Sequence, residues 1–377
     1  MKHPVSGFFQ STLQSEHLIS APMHPKCRLA VLFPVYQEPA RRVLELLESV
    51  AEQEDVCFDE IEILCLVNNA EHDATDAYSS AKRANEVILR LPAWRNAASF
   101  GGLLFDEETR ERANRLRKKL GAYVIDKSSP GNEIPANNIG KARNRLLAEA
   151  VQRFFRLGRN GVVLMTDADA VLSDPLYLRR LMDVFDSEED FVGGSGSIDF
   201  MFDPDTSAER ERRRVHDHLS EYILKRRWSC LSEMHAGSEP DMAPPDACYG
   251  ANIFFRSGDA AAMGGFRPYH RFEDSHFMND LKAYASRSGK TAAALPHFRV
   301  QTALRDSFRT AGSFGHRIGG EGEGVFVRHP ISKQRVLLTE KVFMDAAARV
   351  AATNHGRAFL RRLESLPQVL YGSAFPA

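Results

Sequence analysis

Short apolar runs alternate with amphipathic segments through the first half of the chain, and this alternation restricts the fold more than any other feature. Four runs have the length and composition of buried strands, at residues 28–33, 61–67, 122–125 and 161–166. The segments between and after them predict helices, including helices that open at Pro39, Gly140 and Asp174-Pro175. Strands that alternate with helices predict an α/β fold, in which helices cover both faces of a mostly parallel sheet.

Polar residues follow three of these strands. Pro34 to Glu38 come after the first, Asn68-Asn69 after the second, and Asp167 to Asp169 after the fourth. Ligands of parallel α/β sheets bind beyond the carboxyl ends of the strands. These three groups are therefore the first candidates for a functional site.

The sequence Asp167-Ala168-Asp169 is a candidate metal site. Two carboxylates offer the hard oxygen ligands that Mg²⁺ or Mn²⁺ prefers, and such an ion would neutralise a diphosphate. A lone D-x-D occurs by chance in many proteins, where it forms a surface turn or a helix cap. Its position after an apolar strand favours the metal interpretation here.

A second pair of carboxylates, Glu273-Asp274, stands just before a predicted helix with an apolar stripe. Asp274 could cap that helix. It could equally serve as a general base that takes a proton from an attacking hydroxyl. The residue types alone leave both interpretations open.

Six segments in this order resemble the family 2-like GT-A glycosyltransferases over about residues 28–310. They are Phe33–Glu38, Asn138–Asn144, Thr166–Ala170, Gly250–Asn252, Gly264–Phe266 and Glu273-Asp274. The resemblance implies a GT-A (Rossmann-like) sheet, with helical and loop insertions on the acceptor side and a C-terminal helical segment. It also implies that Asp274, with Glu273, supplies the base of an inverting reaction.

The resemblance further implies a set of donor-binding residues. Those that would contact the nucleotide sugar are Pro34, Tyr36, Glu38, Asn68, Gly140, Arg143 and Asp167. Asp167 and Asp169 would hold the metal, with His297 as a third ligand and His316 as its rival. Asn68-Asn69 departs from the acidic pair that the family usually carries after the second strand, which leaves the identity of the base open.

The resemblance implies an enzyme that transfers a sugar from a nucleotide diphosphate-sugar, with a UDP-sugar favoured as donor. The acceptor would be a hydroxyl of a carbohydrate, a lipid-linked molecule or a small molecule. The cofactor would be Mn²⁺ or Mg²⁺. One alternative is a sugar-1-phosphate nucleotidyltransferase. It should carry a glycine-rich loop with Arg and Lys after the first strand, unlike Pro34 to Glu38. Another is a non-catalytic nucleotide- or glycan-binding module, against which the intact Asp167, Asp169 and Asp274 argue.

Composition narrows the cellular setting. Lys and Arg number 49 against 50 Asp and Glu, a net charge of -1 that argues against a nucleic-acid partner. The five cysteines are scattered without a C-x-x-C pair, which indicates free thiols. No apolar run approaches the ~20 residues of a membrane span, and no signal peptide is recognisable. These features predict a cytoplasmic protein with no integral membrane segment.

The chain is expected to divide into a leader (1–27), a glycosyltransferase domain (28–330) and a C-terminal helical extension (331–377). Within the domain, residues 28–186 would bind the nucleotide sugar and residues 187–330 the acceptor. The charged, loop-rich segment 203–246 is expected to be a mobile lid over the cleft.

Overall fold

A computed structural model describes the parts of the chain that carry most of the predicted site. These are residues 18–69, 80–97, 105–202, 250–269 and 273–304, together with 228, 326–328, 335–337, 341–342, 346 and 348. His316, nearly all of the expected lid at 203–246 and most of the expected extension at 331–377 lie outside the described residues.

Ten strands and seven α-helices lie in this part of the chain. The strands are β1 (Leu29–Val35), β2 (Ile61–Asn68), β3 (Gly121–Lys127), β4 (Val162–Met165), β5 (Ala170–Leu172), β6 (Phe191–Phe202), β7 (Ile253–Arg256), β8 (Thr291–Leu304), β9 (Phe326–Arg328) and β10 (Arg335–Leu337). The helices are α1 (Ala40–Ala51), α2 (Ser80–Leu89), α3 (Glu107–Lys119), α4 (Ile139–Arg156), α5 (Tyr177–Ser187), α6 (Ser257–Met263) and α7 (Glu273–Ser288). A short 3₁₀ helix covers Phe58–Glu60.

Eight of the strands form one sheet in the order β3-β2-β1-β4-β7-β6-β8-β5. The pairs β2–β3, β1–β2 and β1–β4 are parallel, whereas β4–β7, β6–β7 and β5–β8 are antiparallel. The predicted α/β architecture is confirmed, and the β3-β2-β1-β4 order matches the first four strands of the Rossmann order 3-2-1-4-5-6. The carboxyl ends of these four parallel strands consequently lie on one edge of the sheet. β9 and β10 pair separately as an antiparallel hairpin.

Aromatic packing seats α7 against the sheet beside this edge. Phe266 and Phe277 stack with ring centroids 4.0 Å apart, and Phe277 lies 4.8 Å from Phe255 of β7. All three side chains are buried. Because Phe277 lies one turn into α7, this packing fixes the first turn of the helix, which carries Glu273 and Asp274.

Two local predictions need correction. Pro34 does not end β1, because the strand continues to Val35 and Pro34 pairs with Leu66 of β2. The helix expected at Asp174 begins at Tyr177, since Asp174 forms a turn in which its Oδ1 accepts the Leu176 N–H. β6, which starts at Phe191, is not among the four strands predicted from the sequence.

Residues 18–27 of the expected leader pack against the sheet and α4. Ile19, Met23 and Cys27 are buried in the same hydrophobic cluster as the apolar side chains of α4. Arg153 of α4 donates through Nη1 to the Ala21 carbonyl at 2.8 Å. This part of the leader therefore belongs to the folded core.

The chain divides into two compact units, Met1–Ile198 with Asp246–Thr302, and Asp199–Pro245 with Ala303–Ala377. Every described candidate site residue belongs to the first unit. The domain boundaries expected from the sequence stay a prediction. Among the helices that the structure describes, none is long and apolar enough to cross a bilayer.

Candidate active site

The loop after β1 carries two of the expected donor-binding residues. Tyr36 and Glu38 are half-buried at the start of this loop, whereas Pro34 is buried inside β1. Gln37, between Tyr36 and Glu38, has a φ of 56°, an unusual conformation for a residue other than glycine. Its N–H donates to Asn85 Oδ1 at 2.8 Å. The loop is thus held by a contact from α2 in a backbone conformation of a kind that often marks functional sites.

The Asp167-Ala168-Asp169 segment forms a turn at the end of β4. The Ala170 N–H donates to the Asp167 carbonyl at 3.1 Å, so the chain turns between the two carboxylates and does not continue as an extended strand. Thr166 anchors the turn, because its Oγ1 donates to the Ala251 carbonyl at 2.7 Å. Both aspartates are half-buried.

Arg143 of α4 joins this turn to the other carboxylates. Its guanidinium is 3% exposed and donates to Asp167 Oδ1 and to the Gly250 carbonyl, each at 2.8 Å. Its Nε also forms an ion pair with Glu273 Oε1 at 3.2 Å. The resemblance places Arg143 among the residues that contact the nucleotide sugar, but in the structure its donors are directed at these protein groups.

Gly250 connects Arg143 to Asp274. The Gly250 N–H donates to Asp274 Oδ2 at 2.8 Å, while its carbonyl accepts from Arg143. A Cβ added at Gly250 would lie 2.1 Å from Arg143 Nη2. Only glycine therefore lets the guanidinium lie flat against this backbone. The sequence motif contained Gly250, but nothing local revealed that it bridges two charged groups.

Asp274 is the second residue of α7, and it is not the residue that precedes the helix. Besides accepting from Gly250, it accepts the Ser275 N–H through Oδ1 at 2.7 Å. Two backbone donors therefore fix the orientation of a half-buried carboxylate. The helix-cap interpretation is replaced by a first-turn carboxylate held between α7 and residue 250.

Three carboxylates surround Arg143, and their charge exceeds that of the guanidinium. Burial, together with Asp274 and Asp167, raises the pKa of Glu273 to about 7, although Arg143 opposes the rise. The pKa of Asp167 is also raised, by burial and then by Asp274 and Glu38, again against Arg143. The single guanidinium does not neutralise the three carboxylates, Asp167, Glu273 and Asp274, which therefore repel one another.

This surplus of negative charge suits a divalent cation. Within the described residues, no three His, Cys, Asp or Glu side chains form a closed metal cage. Mg²⁺ commonly takes one or two protein carboxylates and completes its shell with water and substrate phosphates. Asp167 and Asp169 fit that arrangement.

His297 is not brought to the metal site. It lies in β8, where Thr302 pairs with Ala170, the residue after Asp169. His297 is five residues before Thr302, about 16 Å along the strand. Its exposed ring packs 4.5 Å from that of Phe298. The β5–β8 pairing therefore does not place His297 beside Asp169, and its role as a third metal ligand stays a prediction.

Gly140 starts α4 in close contact with residues 267–269. Its N–H donates to the Tyr269 carbonyl at 3.2 Å, and an added Cβ would lie 2.1 Å from the Arg267 carbonyl oxygen. The next amide, Lys141 N–H, donates to Asn138 Oδ1. The role seen for Gly140 is thus close packing of the helix start, with its amide already hydrogen-bonded.

Asn68 belongs to a buried amide cluster at the ends of β2 and β3. We define this cluster as Asn68, Asn69, Asn85, Ser128 and Asn137. Asn85 Nδ2 donates to the Asn68 carbonyl at 2.8 Å, and both Asn85 and the Ser128 hydroxyl donate to Asn69 Oδ1. The sequence drew attention to the first two residues only, because α2 and the loop after β3 contribute the others from distant positions.

Comparisons with known proteins find similar solved structures but no similar family profile or curated sequence. No protein-family profile and no curated protein matches the chain. Solved structures similar to it include a mannosyltransferase, PcManGT from Pyrobaculum calidifontis, in complex with GDP-Man and Mn²⁺: identity 13%, coverage 95% of this chain and 79% of that chain, TM-score 0.41. They also include S. aureus TarS 1-349 in complex with UDP-GlcNAc: identity 11%, coverage 91% and 72%, TM-score 0.40. Because both TM-scores are below 0.5, we infer neither function nor site residues from these likenesses.

Proposed function

We propose that the chain is a metal-dependent glycosyltransferase that moves a sugar from a nucleotide diphosphate-sugar to an acceptor hydroxyl with inversion at the anomeric carbon. The observation that carries the proposal is the connected group Asp167–Arg143–Gly250–Asp274. It joins a carboxylate at the end of a parallel strand to a second carboxylate whose orientation is fixed by backbone donors. The sequence resemblance assigns a metal ligand and a base to these two positions.

The proposed reaction is a single displacement. Asp274 would accept the proton of the acceptor hydroxyl as its oxygen forms a bond to the anomeric carbon, and the bond from that carbon to the diphosphate oxygen would break. A divalent ion held by Asp167 and Asp169 would, when bound, neutralise the departing diphosphate. Tyr36 and Glu38, on the loop after β1, would contact the nucleoside.

Arg143 would keep the two ends of the site in register. It contacts Asp167 directly and reaches Asp274 through Gly250, so a shift of either carboxylate would disturb the other. This arrangement favours an enzyme over a binding module, because binding alone does not need an oriented carboxylate beside the metal ligand. A nucleotidyltransferase lacks support, since the loop after β1 has no glycine-rich, basic sequence.

The test measures Mn²⁺-dependent hydrolysis of UDP- and GDP-sugars, together with binding of the corresponding diphosphates, for three proteins. The unaltered chain should bind and hydrolyse at least one donor. Asp169→Ala should lose Mn²⁺-dependent binding while keeping its melting temperature. Asp274→Asn should retain donor affinity and lose about 10²–10⁴-fold in kcat, as expected when a general base is removed.

A purely structural role for Asp274 predicts a different result. Asn keeps only one of the two acceptor oxygens, so one of the two backbone hydrogen bonds would be lost and Tm would fall, while kcat would change little. Undiminished turnover of Asp274→Asn, or Mn²⁺ affinity equal to native in Asp169→Ala, would contradict the proposal. NMR of the anomeric proton of the product then distinguishes inversion from retention.

A further inference from the structure

Asn144, which follows Arg143 on α4, holds the backbone of Phe266 at both of its polar groups. The Phe266 N–H donates to Asn144 Oδ1 at 2.6 Å, and Asn144 Nδ2 donates to the Phe266 carbonyl. A side-chain amide carries both an acceptor and donors, so it can pair with a residue as a neighbouring antiparallel strand would. These two hydrogen bonds join positions 122 residues apart and attach Phe266 to α4.

The chain just before Phe266 turns at two glycines. α6 ends at Met263, and Gly264 and Gly265 have φ values of 101° and 71°, in the region that favours glycine. Phe266 therefore does not continue α6, and the direction of that helix does not set its position. The contact with Asn144 supplies a fixed point for this segment.

The Phe266 ring carries this position to α7. It stacks on the Phe277 ring at 4.0 Å between centroids, with 13° between the ring planes, and both side chains are buried. Phe277 and Asp274 are three residues apart on α7, so they are neighbours on the helix surface. Because protein interiors are close-packed, a displaced Phe266 would shift Phe277 and the first turn of α7 with it.

We propose that Asn144 is a positioning residue for the catalytic base, and that it sets the place of Asp274 through Phe266 and Phe277. The inference rests on the proposed function only for the role of Asp274 as a base. Two successive residues of α4 would then hold the site, Arg143 through the carboxylates and Asn144 through the aromatic stack. Such control matters for rate, because an error of about 1 Å in the placement of a reacting group can cost about 10²-fold.

A second asparagine holds a backbone residue in the same way and provides a matched control. Asn96 Nδ2 donates to the Val124 carbonyl at 2.8 Å, and the Val124 N–H donates to Asn96 Oδ1 at 3.0 Å. Val124 belongs to β3, the outer strand of the sheet on the side away from β7. Asn96→Ala therefore removes the same two kinds of hydrogen bond as Asn144→Ala, but away from α7.

The first measurement compares these two variants in the full chain, with Mn²⁺ and the UDP- or GDP-sugar that the unaltered chain hydrolyses. Asn144→Ala should lose about 10–10²-fold in kcat, while the Kd of the corresponding diphosphate changes by less than about twofold. Asn96→Ala should lower Tm and leave kcat unchanged. If Asn144 only stabilised the fold, both variants would lower Tm and keep the native kcat.

The second measurement does not depend on activity. The Gly250 and Ser275 N–H groups both donate to Asp274, so their hydrogen exchange reports where that carboxylate lies. Both amides should exchange at least about tenfold faster in Asn144→Ala and at the native rate in Asn96→Ala. If Asn144→Ala does not fold, Asn144→Asp serves the same comparison, because it keeps the acceptor for the Phe266 N–H and loses only the donor.

Native kcat in Asn144→Ala, or native exchange at both amides, overturns the inference. Its failure is separable from that of the proposed function. A collapsed kcat in Asp274→Asn beside a native kcat in Asn144→Ala would keep the base and remove the role of Asn144. Faster exchange at Gly250 and Ser275, in a chain whose Asp274→Asn variant retains full turnover, would support the positioning and contradict the base.

Discussion

Arg143 shows how a single side chain changes meaning between sequence and structure. In the sequence, its place in the segment Asn138–Asn144 implies a contact with the nucleotide sugar. In the structure its guanidinium is buried, and it contacts Asp167, the Gly250 carbonyl and Glu273. A planar fork of five donors can hold three such groups at once, which a lysine cannot do.

Arg143→Lys should therefore reduce catalysis by more than it reduces stability. We expect kcat to fall by about 10²-fold, because Asp167 and Asp274 lose their common anchor. The matched control is Arg153→Lys, which alters another buried arginine paired with glutamates. It should lower Tm with kcat unchanged in the folded fraction. Equal loss of kcat in both variants would show that Arg143 only stabilises the fold.

Glu273 should make stability depend on pH. Its pKa is about 7 in the folded chain, against 4.5 for the ordinary carboxyl. A raised folded pKa means that the protonated side chain favours folding, so the contribution is complete below about pH 4.5 and is lost as pH rises through about 7. Thermal melts across this range should show that, as pH rises, the Tm of the native protein falls relative to the Tm of Glu273→Gln. A constant Tm difference between the two proteins would contradict the raised pKa.

At the scale of elements, the site depends on how the starts of α4 and α7 are fixed. α4 is fixed through Gly140 against residues 267–269, and the segment that follows leads into α7. The Asn138 side chain adds to the same contact, since its Nδ2 donates to the Pro268 carbonyl at 3.2 Å. The close approach at Gly140 therefore helps to determine where Arg143 lies.

Gly140→Ala should force the start of α4 away from residues 267–269. The new Cβ would lie 2.1 Å from the Arg267 carbonyl oxygen, a backbone atom that cannot move independently. We expect a loss of about 1–3 kcal/mol in the free energy of unfolding, as for other overpacked positions. Gly121→Ala is the control, because its added Cβ would meet only Ile61 O at 3.5 Å. Denaturant unfolding of both variants measures the difference, and equal stability would contradict the close contact.

At the scale of the whole chain, one buried charge network attaches residues 18–27 to the sheet and to α4. Arg153 of α4 donates twice to Glu62 of β2, each at 2.6 Å, and once to the Ala21 carbonyl. Glu149 accepts from the Leu18 N–H at 3.3 Å and lies 3.8 Å from Arg153. Burial raises the pKa of Glu62, although Arg153 opposes this.

Removing Arg153 should destabilise the chain strongly. Arg153→Met leaves Glu62 buried without its partner, a change that costs about 3–5 kcal/mol in comparable buried pairs. The double variant Arg153→Met/Glu62→Leu removes both charges and should recover part of that loss. Chemical denaturation of the two proteins measures this recovery. A double variant that is less stable than Arg153→Met would contradict this expectation. It would show that Glu62 stabilises the fold even without Arg153.

The sequence by itself determined the elements and the positions of the candidate residues along them. Apolar runs and helical periodicity are local properties, so β1 to β4, α1 and α4 could be predicted, and with them the strand ends that carry Asp167 and Asn68. The order of six short segments indicated the type of enzyme. Asp274 was identified as a carboxylate at a helix start, with its role undecided.

Tertiary structure alone decided which of these residues meet. Arg143 and Gly250 are 107 positions apart, and Asn85 reaches Ser128 across 43. Such contacts depend on strand order and helix packing, which local periodicity does not encode. Pairing of β5 with β8 places Thr302, and not His297, opposite Ala170, which the position of His297 along the chain could not reveal. The bridge from Asp167 to Asp274 forms only because α4, residue 250 and the first turn of α7 meet beside the end of β4.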